Sequence, residues 1–247
     1  RKGDLHGHTA DDPFDVLPAD PVETIERAAA LGFDAIAITH HDSRFLPTPD
    51  VLEASERTGV LVLPGVERSL DGGCHVLVVG GGAEIDAVST LDDLAAARRP
   101  EHLIVAPHPL YPGRQCLGEQ RLLERLDLFD AIEWSHFWVD RWLEGPNRRA
   151  AEIARRAGKP LLGTGDIHFP EQMGWTYALV DAEREPASIV EAIRAGRVEL
   201  ATRPLPVLRA ARIAVRLVRC GLEGRLRTRR SARFEPAVSA SGCRPSG

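Results

Sequence analysis

Residues 33–42 read FDAIAITHHD. Phe33 to Thr39 is a compact apolar run of the kind that forms a strand buried on both faces of a parallel sheet. Three ionisable side chains, His40, His41 and Asp42, follow at once. Ionisable groups gathered at the end of a buried strand are costly unless they bind something. The same arrangement recurs along the chain in both directions.

Upstream, Asp20-Pro21-Val22-Glu23 opens a helix, with Asp20 as N-cap, Pro21 in the first turn and Glu23 placed for a capping box. Gly32 ends that helix. Before it, Lys2 to His6 reads as a short strand entering a loop. Downstream, Asp50 to Thr58 reads as a helix stopped by Gly59, then Val60 to Val66 and His75 to Val79 as strands. Leu91 to Arg98 is helical, Leu103 to Ala106 strand, Gly118 to Leu126 helix and Ala131 to Trp134 strand. Asn147 to Ala157 is helical with Gly158 as its stop. Leu161 to Gly163 and Tyr177 to Val180 are strands, and Pro186 to Ala195 is a late helix. Repeated strand-then-helix order implies a parallel sheet, open or closed. Polar residues at the strand ends favour a barrel, whose site lies at the C-terminal mouth.

Those ends carry the chemistry. Asp4-Leu5-His6-Gly7-His8-Thr9 places two histidines two residues apart, on one side of an extended segment, where they can grip one metal ion. Pro64-Gly65-Val66-Glu67 sets a carboxylate after the next strand. His75 starts the strand HVLVV, and His108 follows Leu103 to Ala106. Asp166-Ile167-His168 repeats the two-apart spacing. Each motif alone is as compatible with a structural role as with function. Their joint occurrence at successive strand ends is not.

Taken together, these motifs resemble the PHP (polymerase and histidinol phosphatase) family over roughly residues 2–206. The resemblance implies a distorted (β/α)7 barrel and two to three divalent ions, zinc, manganese or iron. It implies one ion on His6, His8, Glu67 and Asp166, and a second sharing Glu67 with His75 and His108. A third would use an acid of the first loop with His41 and His168. Asp11, Asp12 and Asp15 compete for that role, and Asp12 is favoured. The sequence departs from the family at His40, where Asp is usual. The implied activity is hydrolysis of a phosphate ester, a small phosphomonoester first, with a hydroxide bridging two metals as nucleophile. The alternatives are a nuclease or nucleoside-bisphosphate phosphatase, and a metal-stabilised scaffold without catalysis. His40 or Asp42 is a candidate to protonate the leaving group. Arg44, Arg68 and His136 are candidates to bind substrate, and Glu133 lies near His136 at the mouth. Trp134, Phe137, Trp138 and Trp142 cluster there too, most simply as packing.

The net charge of −5 conceals an asymmetry. From Arg203 onward there are eleven arginines against two acids, Glu223 and Glu235, a net of +9, which leaves −14 for the rest. An acidic body suits a protein that gathers carboxylates around cations and suits a general nucleic-acid binder poorly. Leu208 to Val218 alternates aliphatic residues with Arg at helical spacing, as a helix packed on the barrel or lying on an anionic membrane. Residues 207–247 thus read as a basic helix that passes into disorder beyond Arg219. The cysteines Cys74, Cys116, Cys220 and Cys243 show no C-x-x-C pairing, and Arg1-Lys2-Gly3-Asp4 leaves no room for a signal peptide. A reducing cytoplasm is the expectation.

Overall fold

The computed structural model describes residues 1–139 and 144–234; Trp142 and Cys243 lie outside them. The strands are β1 (Lys2–Asp4), β2 (Ala35–Ile38), β3 (Leu61–Leu70), β4 (Cys74–Val79), β5 (Leu103–Ala106), β6 (Ala131–Ser135), β7 (Leu161–Thr164), β8 (Thr176–Val180) and β9 (Val198–Thr202). The helices are α1 (Pro21–Ala30), α2 (Pro49–Thr58), α3 (Leu91–Ala97), α4 (Glu119–Glu124), α5 (Glu144–Ala157), α6 (Pro186–Arg194) and α7 (Val207–Phe234). One sheet runs in the order β7-β6-β5-β4-β3-β2-β1-β8-β9.

The sheet curls until its ends meet, which makes the distorted barrel. Beyond β1 and β7 the chain pairs again: the His8 amide donates to the Ile167 carbonyl at 2.7 Å, and the Ile167 amide to that of His6 at 3.1 Å. Gly163 in β7 permits the close approach. A Cβ there would lie 2.5 Å from Leu200 Cδ1 and 2.6 Å from the Tyr177 carbonyl oxygen. The closure seam therefore has no room for a side chain at this position.

The strands that bring the motifs together are parallel, except β4, which pairs antiparallel with both β3 and β5. Between β3 and β4 only Asp71, Gly72 and Gly73 intervene, all at positive φ, and so short a link can only make a hairpin. This inversion explains His75. It lies at the start of its strand, whereas Glu67 lies in the second half of β3 and His41 and His108 follow theirs, and the reversal returns it to the same mouth. β8 is likewise antiparallel to β1, and β9 pairs with β8. β9 carries no continuous buried run that would mark it as a strand in the sequence.

Local signals act as the residues dictate. Asp20 and Glu23 form the reciprocal capping box of α1, and α2 stops at Gly59 in the left-handed region. Helix α7 runs from Val207 to Phe234, consistent with its content of Leu, Ala and Arg. Its Ala210 and Ile213 are buried with Leu17, Phe169 and Leu205, so its inner face packs on the barrel. The Arg216 guanidinium lies 3.8 Å from the centre of the Phe169 ring and pairs with Glu171. Among the described residues no helix is long and apolar enough to cross a membrane.

Candidate metal centre

Glu67 is the hub of the mouth. It sits within β3, 1% exposed. Its Oε1 lies 2.7 Å from His75 Nδ1 and 3.1 Å from His108 Nε2. Its Oε2 lies 3.2 Å from His41 Nε2 and 3.4 Å from the Nε2 atoms of both His6 and His8. Five imidazoles, from four separate segments, thus converge on one carboxylate. Asp166 Oδ1 stands 3.4 Å from His6 Nε2, 3.5 Å from His8 Nε2 and 3.4 Å from His168 Nδ1. His108 and Asp166 turn inward at positive φ, +29° and +42°. Such backbone costs a non-glycine residue on the order of 1–3 kcal/mol and concentrates at functional sites.

The donor set fits divalent metal ions. His6 Nε2, His8 Nε2 and Asp166 Oδ1 are buried without a hydrogen-bond partner among the described residues. Native interiors rarely leave such atoms unsatisfied, and all three face one another. The ligand-sized groupings are His6, His8 and Glu67; His41, Glu67 and His75; His6, His108 and Asp166; and His8, His41 and His168. All eight of these residues were proposed from the sequence as ligands. Imidazole with carboxylate oxygen suits zinc, manganese or iron.

Behind the ring of donors stand carboxylates that orient it. Asp12 Oδ2 is 2.9 Å from His8 Nδ1, 3.0 Å from His41 Nδ1, and accepts the His41 amide at 2.9 Å; Asp12 Oδ1 accepts the amide of Phe14. Asp12, expected as a ligand, stands here with Oδ2 against the Nδ1 atoms of two imidazoles whose Nε2 atoms face Glu67. Asp15 is the first-loop acid that faces the cavity, 3.3 Å from His168 Nε2. Glu133 plays the same supporting part for His6 and accepts hydrogen bonds from the Thr164 hydroxyl and the His108 amide. Such carboxylate–histidine pairs fix the tautomer of a ligand and raise its basicity.

Electrostatics follow from this crowding. Burial disfavours the charged form of His6, yet Asp166 and Glu67 outweigh it and hold its pKa well above the usual value. His8 and His108 are raised in the same way, His8 chiefly by Asp12 and His108 by Cys116 and Glu67. Glu67 and Asp166 are held well below theirs by the histidines around them, despite burial. Burial pushes Asp4 up to about 7.

Other expected residues fall elsewhere. His40 is buried, its Nε2 2.7 Å from the Thr9 hydroxyl, and burial pushes its pKa down to about 4. It lines neither of the two cavities described below. Asp42 borders a cavity, but its Oδ1 accepts the Ser69 amide at 2.7 Å and faces Arg68 at 3.4 Å. Arg68 donates to the carbonyls of Asp42 and Val88, and Arg44 forms a two-point pair with Asp86. Neither arginine lines either of the two cavities described below. His136 does line the metal-centre cavity.

That cavity has a volume of about 450 Å³, bordered by Asp15, Glu67, His108, Tyr111, His136 and Leu217 of α7. A second, of about 630 Å³, shares Asp15, His41, His75 and Gln115 with it and adds Arg114 at its rim. Sequence reasoning missed Tyr111, Arg114, Gln115 and Leu217, which lie in loops or on the tail helix and form no motif.

Comparison with known proteins bears on the fold. Residues 144–198 match a family model described as PHP-associated. A two-domain protein from Bacteroides vulgatus, containing a predicted PHP-like metal-dependent phosphoesterase, superposes with a TM-score of 0.63 at 21% identity. The match covers 82% of this chain and 64% of that one, so this chain spans less than two thirds of that protein's length. The chain carries a PHP-type fold. PsfC from Pseudomonas syringae superposes with a TM-score of 0.60 at 18% identity over 88% of this chain and 96% of its own. Comparison with curated proteins finds no match. The histidines and carboxylates of the strand-end motifs, scattered over some 160 positions of sequence, meet at the mouth described above.

Proposed function

We propose that this protein is a metal-dependent phosphoesterase acting on a small phosphomonoester. The observation that carries the reading is the convergence of five imidazoles on Glu67 beside the unsatisfied donors of His6, His8 and Asp166, at the floor of an open cavity. His6, His8, His41, Glu67, His75, His108, Asp166 and His168 would hold two to three ions, zinc, manganese or iron. Ions held there would acidify water and neutralise charge on a phosphoryl group, the two needs of ester hydrolysis near neutral pH.

The chain's own residues supply position and exclusion. Asp12 and Glu133 keep the Nδ1 protons of His8, His41 and His6 turned away from the centre. Tyr111 donates to the Phe137 carbonyl at 2.7 Å and so braces one cavity wall. Leu217 brings an apolar side chain of α7 to the opening. Cavities of about 450 and 630 Å³ suit a small molecule. A phosphorylated metabolite fits this space better than a nucleic-acid duplex, and the exposed apolar and basic side of α7 leaves contact with an anionic membrane as a separate property of the tail.

The test is elemental analysis of the purified protein together with turnover of p-nitrophenyl phosphate after zinc or manganese is restored. Two to three ions per chain, with turnover lost in His108→Ala, is the expected result. Bound metal with full turnover in His108→Ala, or absence of bound metal, would overturn the ligand assignment, and bound metal without turnover would favour the metal-stabilised scaffold.

A further inference from the structure

His136 and Gln172 stand outside the ring around Glu67, yet both are buried beside it. His136 follows β6, is 1% exposed, and lines the metal-centre cavity with Ser135, Asp166 and His168. Its Nε2 lies 3.0 Å from the side-chain nitrogen of Gln172.

The Gln172 amide is fixed in its orientation. Its oxygen accepts the backbone N–H of His168 at 3.1 Å and of Phe169 at 2.7 Å. Turning the amide over would set an NH2 group against two N–H donors. Its nitrogen donates to the Asp166 carbonyl at 2.9 Å and, with its other hydrogen, faces His136. A donor opposite Nε2 requires Nε2 to accept, so the proton of the neutral imidazole resides on Nδ1. That Nδ1–H is buried and has no partner among the described residues. Two backbone amides thus dictate the orientation of a glutamine, and the glutamine dictates the tautomer of a histidine at the cavity wall.

The geometry points to His136 as a neutral hydrogen-bond donor, set in the Nδ1–H tautomer by Gln172, that meets an oxygen of the phosphoryl group bound in the cavity. The assignment of that oxygen rests on the phosphoesterase reading; the tautomer does not. The opposite tautomer would present a lone pair to the same oxygen and repel it. A neutral donor also adds no positive charge to compete with the cations beside it.

The experiment uses the full-length, zinc-loaded protein labelled with 15N-histidine, and inorganic phosphate as probe. Long-range 1H–15N spectra, with His136 assigned by its loss in His136→Asn, should show a protonated Nδ1 and an unprotonated Nε2 at pH 7. Phosphate should shift the Nδ1 signal. Calorimetric phosphate affinity should fall on the order of tenfold in His136→Phe and His136→Gln, the loss of one hydrogen bond. His136→Asn, which keeps an N–H near the Nδ1 position, should stay within about threefold. In Gln172→Glu the second carboxylate oxygen needs an N–H opposite it, so the tautomer should invert and affinity fall as in His136→Phe. These variants are compared only where thermal melts show them folded. A protonated Nε2 in the wild type would overturn the proposal, as would equal phosphate affinity in wild type, His136→Phe and His136→Gln. Weakened phosphate binding in His136→Phe and His136→Gln, with a wild type that turns over no ester, would instead sink the phosphoesterase reading and leave the donor in place.

Discussion

Glu67→Gln is the perturbation that bears most directly on the centre. The substitution keeps the shape and removes the charge. In the metal-free protein the carboxylate contacts His75, His108, His41, His6 and His8 at 2.7 to 3.4 Å, all within a buried site. Gln leaves one acceptor oxygen and turns an NH2 group toward the remaining imidazoles. Removing one partner from a buried charged cluster costs about 3–5 kcal/mol. For a chain of this size each kcal/mol shifts Tm by about 2–4 °C, so the melting point should fall by roughly 6–20 °C. The pH dependence has a definite sign. His6, His8 and His108 are raised above 6.5, so their contribution is complete below 6.5 and is lost as pH rises through the folded values. Glu67 is depressed below 4.5, so its contribution is complete above 4.5 and is lost as pH falls through its folded value. The gap between wild type and variant should therefore be widest from pH 4.5 to 6.5 and narrow toward alkaline pH. Thermal melts in chelator across that range measure it, and elemental analysis should find the variant depleted of metal. A melting point within about 2 °C of wild type, with the full metal complement, would refute the picture of Glu67 as the hub.

Further outcomes follow from individual residues. Asp12→Asn should retain the fold yet weaken metal binding by roughly 10–100-fold, the usual loss when the partner of a ligating histidine is removed; competition with a fluorescent chelator measures it, and unchanged affinity would place Asp12 outside the supporting role. Gly163→Ala should destabilise the barrel by about 1–3 kcal/mol through overpacking against Leu200 and the Tyr177 carbonyl, seen as a lower urea midpoint. For His40 the folded pKa of about 4 lies below the usual 6.5. Its contribution is thus complete above pH 6.5 and is lost as pH falls toward 4, up to about 3 kcal/mol. Urea titrations of the metal-free protein should show His40→Gln losing less stability than wild type between pH 7 and pH 4, and parallel losses would contradict the assignment.

Much of this molecule is written locally. The capping box of Asp20 and Glu23, the glycine stop at Gly59 and the apolar run of β2 each depend on neighbours within a few residues, and periodicity exposes them. The strand-end motifs are legible for the same reason. His6 with His8, and Asp166 with His168, need only the two-residue period of an extended chain to share a side. The resemblance to the PHP family then supplied the partition of ligands that spacing alone could not.

What the sequence left open depends on contacts between distant segments. Three aspartates within five residues compete for one role, and only the placement of His8 and His41 shows that Asp12 stands behind the imidazoles while Asp15 faces the cavity. His40 adjoins a ligand in sequence yet is bound to Thr9, and Arg44 and Arg68 have partners near at hand that no local pattern reveals. The packing of α7 through Ala210 and Ile213 against Leu17 and Phe169 depends on segments far away in sequence, which no local pattern of aliphatic and basic residues reveals. Sequence determined which donors the protein owns and at which strand ends they stand, because those properties reside in the backbone period and in burial. Tertiary structure decided which atoms point at one another, because orientation within a crowded polar site depends on the hydrogen bonds that distant segments supply.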